Sequence, residues 1–258
     1  EVAAGKEVVL DLNGKTITGT SPKSEGPVIK NNGTLTIVGG TISSTATNGG
    51  SAVLNNGTLN VVDATLNGAP NDANGGWPSY TVNNTGVMTV TDVKITSVHG
   101  AVCSYGAGAV LTLNNTDIEM SGIPGFTSHG IYTYDGGKAI VNGGDIANNA
   151  TDQGATGGSV INGSVTVYSG NFSGRIENYY GTPVLYGGTY ERDYATAEGS
   201  TVKIDEQHAS VANGDGTYTA TFDSPEMVAA LQWISDLKWV HGVIGTEALV
   251  TPDDSRRQ

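Results

Sequence analysis

The chain writes one short phrase twice within a few dozen residues, as NNGTLTIVGGTIS from Asn31 to Ser43 and as NNGTLNVVDATLN from Asn55 to Asn67. Variants extend the series: VVLDLNGKTITG (8–19), YTVNNTGVMTVTDVKITS (80–97), AVCSYGAGAVLTLNNTDIEM (101–120) and GIYTYDGGKAIVNGGDIAN (130–148). SVINGSVTVYSGNFSG (159–174) and PVLYGGTYE (183–191) complete it. Ile17, Ile42, Leu66, Ile95, Ile118, Ile146, Phe172 and Tyr190 fall at one equivalent point, spaced about 25 residues apart. No other feature constrains the fold as much.

A unit this short has no room for an autonomous domain, and no helical pattern lies inside it. Each unit holds two or three alternating runs rich in Val, Ile and Thr, broken by Asn-Gly or Gly-Gly. Alternation turns one face inward, and Gly and Asn permit positive-φ corners. One coil leaves strand edges that only the next coil can pair, so the coils must stack. The expected fold is all-β, a right-handed parallel β-helix of about eight coils over residues 1–222. A sandwich would need longer strands and hairpin turns.

Stacking makes specific demands. Val53, Val102, Ile131 and Val160 should form one buried column, and Leu59, Leu111 and Val165 another. Asn31, Asn55, Asn83 and Asn162 should recur at a corner, where amides about 4.8 Å apart bond to one another and to the backbone. A ligand-binding amide ladder is the competing use of those asparagines. The single cysteine, Cys103, takes the place of Leu54 and Val82 and reads as a packed thiol.

Residues 223–258 differ. Ser224 is placed to cap a helix, with Pro225 at its first position and Glu226 in its first turn. Met227, Ala230, Leu231, Ile234 and Leu237 then share a face, and Gly242 ends it. Trp233 and Trp239 lie in the same segment. A short helix of this kind would cap the solenoid or dock on a neighbour.

The pattern LDLNGKTITG, NNGTLTIVGGTI, GGTYERDYATAEGSTVK and NGDGTYTATF resembles β-helix surface proteins of bacteria and their phages. Those share the pectate-lyase-like fold with tailspikes, decoration proteins and adhesins. The resemblance spans roughly residues 5 to 222 and implies an extracellular place, on a virion or a bacterial cell surface. It does not separate enzymes from inert stalks.

Composition narrows the partners. The net charge is −13, from 25 acidic and 12 basic residues, and no basic cluster offers a phosphate surface. Nucleic acid and anionic membranes are therefore excluded as expected partners. No apolar run reaches the length that spans a bilayer. One cysteine rules out an internal disulfide and a Cys-rich zinc site. No GxSxG, HExxH, P-loop or dinucleotide fingerprint occurs, so no cofactor or metal is expected. The opening, Glu1 leading into VVLDLNGKTITG, reads as the middle of something, either a processed form or one part of a longer protein.

Chemistry should run down columns. Thr41, Thr65, Lys94, Asp117, Asp145, Asn171 and Thr189 share one, which makes Asp117 and Asp145 the only pair with the makings of a glycosidase acid and base. An outward charged column, with Lys94 neutralising Asp117, explains the same residues. In a second column the position of Asn32, Asn56 and Asn84 becomes Tyr105 and then Tyr134, with His99 and His129 just before them. Those four could line a sugar-binding strip or pack a corner. Four insertions, TATNGG, APNDANGGWPS, GIPGFTS and ATDQGATGG, fall at one joint and should project from one edge. They carry Trp77 and Phe126, which could anchor a ligand or fold down over a face. The reading favoured here is a non-catalytic solenoid that projects, protects or adheres. Its partners would be a surface glycan or a capsid or envelope protein, with homo-oligomerisation left open. A polysaccharide lyase or glycoside hydrolase is the alternative, and a purely structural capsid or cell-wall component is the third reading.

Overall fold

Each repeat folds into one turn of a three-sided coil. The computed structural model describes residues 1–19, 26–46, 50–69, 80–122, 128–149, 159–178, 180–191, 203–204 and 208–222. Side 1 is a seven-stranded sheet among these residues. It comprises Ile29–Asn31, Val53–Asn55, Tyr80–Asn84, Gly100–Tyr105, His129–Tyr134, Ser159–Asn162 and Arg175–Glu177. Sides 2 and 3 belong to a second, larger sheet. In one turn they are Thr34–Val38 and Thr41–Ser44, and in the next Thr58–Val62 and Thr65–Asn67. Further along, both sides run through one bent strand, Lys138–Asn148 and then Val165–Ser173.

Successive turns pair in parallel, residue on residue. Leu35 pairs with Leu59, Leu59 with Met88 and Met88 with Leu111, and the column continues through Ala139 to Val165. The column from Ile17 through Ile42, Leu66, Ile95, Ile118, Ile146 and Phe172 to Tyr190 is equally unbroken. Its last two rings stack at 5.0 Å between centroids, about the spacing of neighbouring strands. Full burial of each such aliphatic chain stabilises the fold by about 1.5–3 kcal/mol.

The fold departs from expectation in extent. The parallel solenoid has about five turns, rather than eight. The ladder becomes less regular towards its C-terminal end. Side 1 shifts register between Ser159 and Ile161, and sides 2 and 3 shrink to Val184–Leu185 and Thr189–Tyr190. Strand direction then reverses: Thr189–Tyr190 pairs antiparallel with Tyr218–Phe222, which pairs antiparallel with His208–Ala212. No helix occurs among the described residues. The helix expected within 223–258 lies outside them.

Register corrects three smaller expectations. The buried column on side 1 runs Val53, Val82, Val102, Ile131 and Ile161. Val160 is buried as well but stands beside that column. The corner amide ladder runs Asn31, Asn55 and Asn84, not Asn83, because the Asn pair of this turn begins one residue earlier, Asn83 falling beside Leu54 and Thr85 in the place of Asn56. Asn31 Nδ2 donates to Asn55 Oδ1 at 2.7 Å, and Asn55 Nδ2 donates to Asn84 Oδ1 at 2.8 Å. The ladder ends at Ser104, and Asn162 instead shares a column with Tyr132 and Glu177. Cys103 follows Leu54 and Asn83 rather than Val82.

The two glycine-bearing corners have different causes. Between sides 1 and 2, Gly33, Gly57 and Gly86 stack so closely that a Cβ on Gly57 would lie 2.1 Å from the Gly33 carbonyl oxygen, and one on Gly86 would lie 2.1 Å from that of Gly57. Close approach, not a special φ, requires glycine there. Between sides 2 and 3 the chain does enter the left-handed region, at Gly39, Asp63, Asp92 and Asn115, and Asp and Asn tolerate it.

Candidate functional site: a tyrosine-rich face on side 1

On side 1 the alternation that sends Val102 and Ser104 inward sends Cys103 and Tyr105 outward. The outer columns change character along the solenoid. One runs Leu54, Asn83, Cys103, Tyr132, Asn162 and Glu177. The next runs Tyr80, Gly100, His129, Ser159 and Arg175. Tyr105 pairs with Tyr134 in a third. A Cβ on Gly100 would lie 2.6 Å from the Tyr80 ring. The missing side chain lets Tyr80 lean across one coil and stack on Tyr132 at 5.7 Å.

The result is a dry base with a wet edge. Tyr80, Cys103 and Tyr132 form an apolar cluster separate from the solenoid core, and His129 stacks on Tyr132 at 5.0 Å. Tyr134 continues the stack at 6.2 Å. Tyr180 sets its edge against both rings, 5.6 Å from Tyr132 and 5.1 Å from Tyr134. Tyr105, Tyr134 and Tyr180 remain 47%, 38% and 45% exposed. Rigid two-torsion rings on a sheet present contact area at small entropic cost.

Polar groups line the far end of this face. His129 Nδ1 lies 2.8 Å from Ser159 Oγ, and Ser159 in turn hydrogen-bonds to the Glu177 carboxylate. Arg175 meets the same carboxylate at 2.7 Å. Burial raises the Glu177 carboxyl, and Arg175 and the Ser159 bond oppose that rise. Burial, with His99 as a second cause, lowers His129 to about 4, so its imidazole is neutral near pH 7. A Ser159 hydroxyl that donates to Glu177 accepts from His129, which places the imidazole proton on Nδ1. Burial pushes Cys103 up to about 12 and raises Tyr80 and Tyr132 above the ordinary phenol range. No ionised nucleophile results.

Of the residues singled out in the sequence, Tyr105, His129 and Tyr134 gather on this face. His99 is buried one coil away, its carbonyl accepting the His129 N–H at 3.2 Å. Tyr105 and Tyr134 stand one residue beyond the Asn84–Ser104 pair, in line with Asn32 and Asn56 through Thr85, whose hydroxyl donates to Asn56 at 2.8 Å. Trp77 and Phe126 lie outside the described residues, as do most residues of the four insertions. Asp117 and Asp145 are exposed neighbours on side 3. Asp117 Oδ1 accepts the Asp145 N–H at 3.0 Å, and Asp145 Oδ1 accepts the Asn171 amide at 2.7 Å. Lys94 pairs with Glu119 at 3.0 Å.

Sequence reading missed Tyr80, Tyr132, Ser159, Arg175, Glu177 and Tyr180. The doubled aromatics of IYTY and NYY were the available signal. No protein-family model, curated protein or solved structure matches the chain.

Proposed function

We propose that this solenoid is a non-catalytic glycan-binding protein of the pectate-lyase-like β-helix kind, displayed outside the cell on a virion or a bacterial envelope. The observation that carries the reading is the wet edge of side 1, where Tyr105 and Tyr134 stand in register with Tyr180 locked edge-on against Tyr134 at 5.1 Å. Flat, pre-positioned rings take the C–H faces of pyranoses by apolar contact, and their hydroxyls bond to the sugar rim. The net charge of −13 favours an uncharged glycan over a polyanion. A rung spacing of about 4.8 Å lets several sugar units of one chain meet several coils, so weak contacts add.

Hydrolysis or elimination by a positioned acid and base would need catalytic groups with free positions over a substrate. Asp117 and Asp145 are instead engaged in holding successive coils together. Binding without turnover fits that use better.

Electrophoresis through native gels cast with soluble polysaccharides tests the reading. Retardation by at least one neutral glycan is expected, with migration restored by Tyr105→Ala combined with Tyr134→Ala. Equal migration in every gel, or retardation unchanged in the double variant, would refute it.

A further inference from the structure

A groove of about 570 Å³ opens where side 3 hands over to side 1, and Thr96, Glu119, Val98 and Asn149 line it. Small-ligand sites commonly occupy about 300–1,000 Å³. None of its lining residues belongs to the tyrosine face, so it is a distinct site and does not rest on that reading.

Its chemistry follows from an interrupted ladder. Asn67 Nδ2 donates to Ser43 Oγ at 2.9 Å, and Thr96 Oγ1 donates to Asn67 Oδ1 at 2.7 Å. Thr96 has thereby given its only hydroxyl proton to Asn67. The next rung in register is Glu119, and the one after it is Ala147. Ionised Glu119 has only acceptors, and Thr96 offers only lone pairs in that direction. Thr96 and Glu119 are register neighbours one strand spacing apart, and two acceptors there do not bond one another. Elsewhere on the solenoid the same interval is closed by an amide, as between Asn114 and Asn142 at 2.8 Å.

A ligand with two adjacent donors completes the ladder. Lys94 already balances the Glu119 charge at 3.0 Å, so the missing group is a neutral donor rather than a cation. Val98 and the buried Ala69 give the groove an apolar wall. Hydroxyl donors beside a C–H face describe a pyranose. We infer that this groove is a second carbohydrate site, taking a neutral disaccharide unit whose vicinal hydroxyls donate to Thr96 Oγ and Glu119.

Titration of the ¹⁵N-labelled full chain with cellobiose and with N,N′-diacetylchitobiose, followed by amide NMR, tests this. Trigalacturonate serves as the charged comparison. Dose-dependent shifts at Gly68, Thr96, Ser97 and Ser121 are expected from a neutral disaccharide and not from trigalacturonate. Glu119→Gln brings its own amide donor to Thr96 and should weaken binding at least about tenfold, as should Thr96→Val, while both keep a dispersed native spectrum. Tyr134→Ala should leave the groove titration unchanged, which separates this site from the tyrosine face. Overturning results would be no shift with either neutral sugar, shifts confined to Tyr105, Tyr134 and Tyr180, or full affinity in Glu119→Gln.

Discussion

His129 Nδ1 sits 2.8 Å from the hydroxyl of Ser159, one coil away, in a buried pair, and burial with His99 nearby keeps the imidazole neutral near pH 7. The folded value of about 4 lies below the ordinary value of about 6.5. Between those two pH values the unfolded chain binds more protons, so the contribution is complete above about pH 6.5 and is lost as pH falls towards 4. The gap corresponds to about 3 kcal/mol. Urea unfolding at pH 7 and pH 4 should therefore show a smaller acid loss in His129→Gln than in the wild type, by about that amount. Equal losses would remove His129 as the cause.

Val102 is fully buried between Val82 and Ile131. Val102→Asp places an unpaired carboxylate in the centre of side 1 and should cost about 4 kcal/mol or more. An unchanged thermal transition would contradict the register.

The inner and outer asparagines of the repeated phrase should behave differently. Asn55 is buried, and its amide bonds Asn84 and the carbonyls of Gly57 and Val87. Asn55→Ala strands several of those partners and should cost about 3 kcal/mol. Asn56 is exposed, donates to Asn32 and accepts from Thr85 at the surface, so Asn56→Ala should stay within about 0.5 kcal/mol. Denaturant midpoints of the two variants decide the matter, and similar values would contradict the assignment.

The difference between those neighbours also marks how far the sequence could be read. Ile17 through Tyr190 were legible because one apolar residue every turn is a demand of the core itself. Asp117 and Asp145 fell into place because their column is adjacent to it. Errors arose where similar letters occupy different register positions: the Asn pair begins one residue earlier at Asn83 than at Asn55, and Ser159 pairs with His129, so Ile161 rather than Val160 falls on Ile131. The site was less legible because its contacts cross coils. Ser159 and Glu177 meet across the irregular step between Ser159 and Ile161, and Tyr80 reaches Tyr132 only because Gly100 leaves a gap. Neither contact has a signature within one repeat.

Cys103 is buried, and its thiol is raised to about 12. The reactive thiolate is therefore scarce at pH 8. Ellman's reagent should label the native protein far more slowly than the guanidinium-unfolded chain. Equal rates would place Cys103 on an accessible surface.

The most direct test of a non-catalytic tyrosine site compares association constants for a retarding polysaccharide among three proteins. These are the wild type, Tyr134→Ala, and Asp117→Asn combined with Asp145→Asn. The Asn pair keeps the shape of both carboxylates and removes their acid–base capacity. Tyr134→Ala is expected to bind about tenfold more weakly, with the double Asn variant matching the wild type and no chain shortened. Loss of binding in the Asn variant, or reducing ends released by the wild type and not by that variant, would contradict the account.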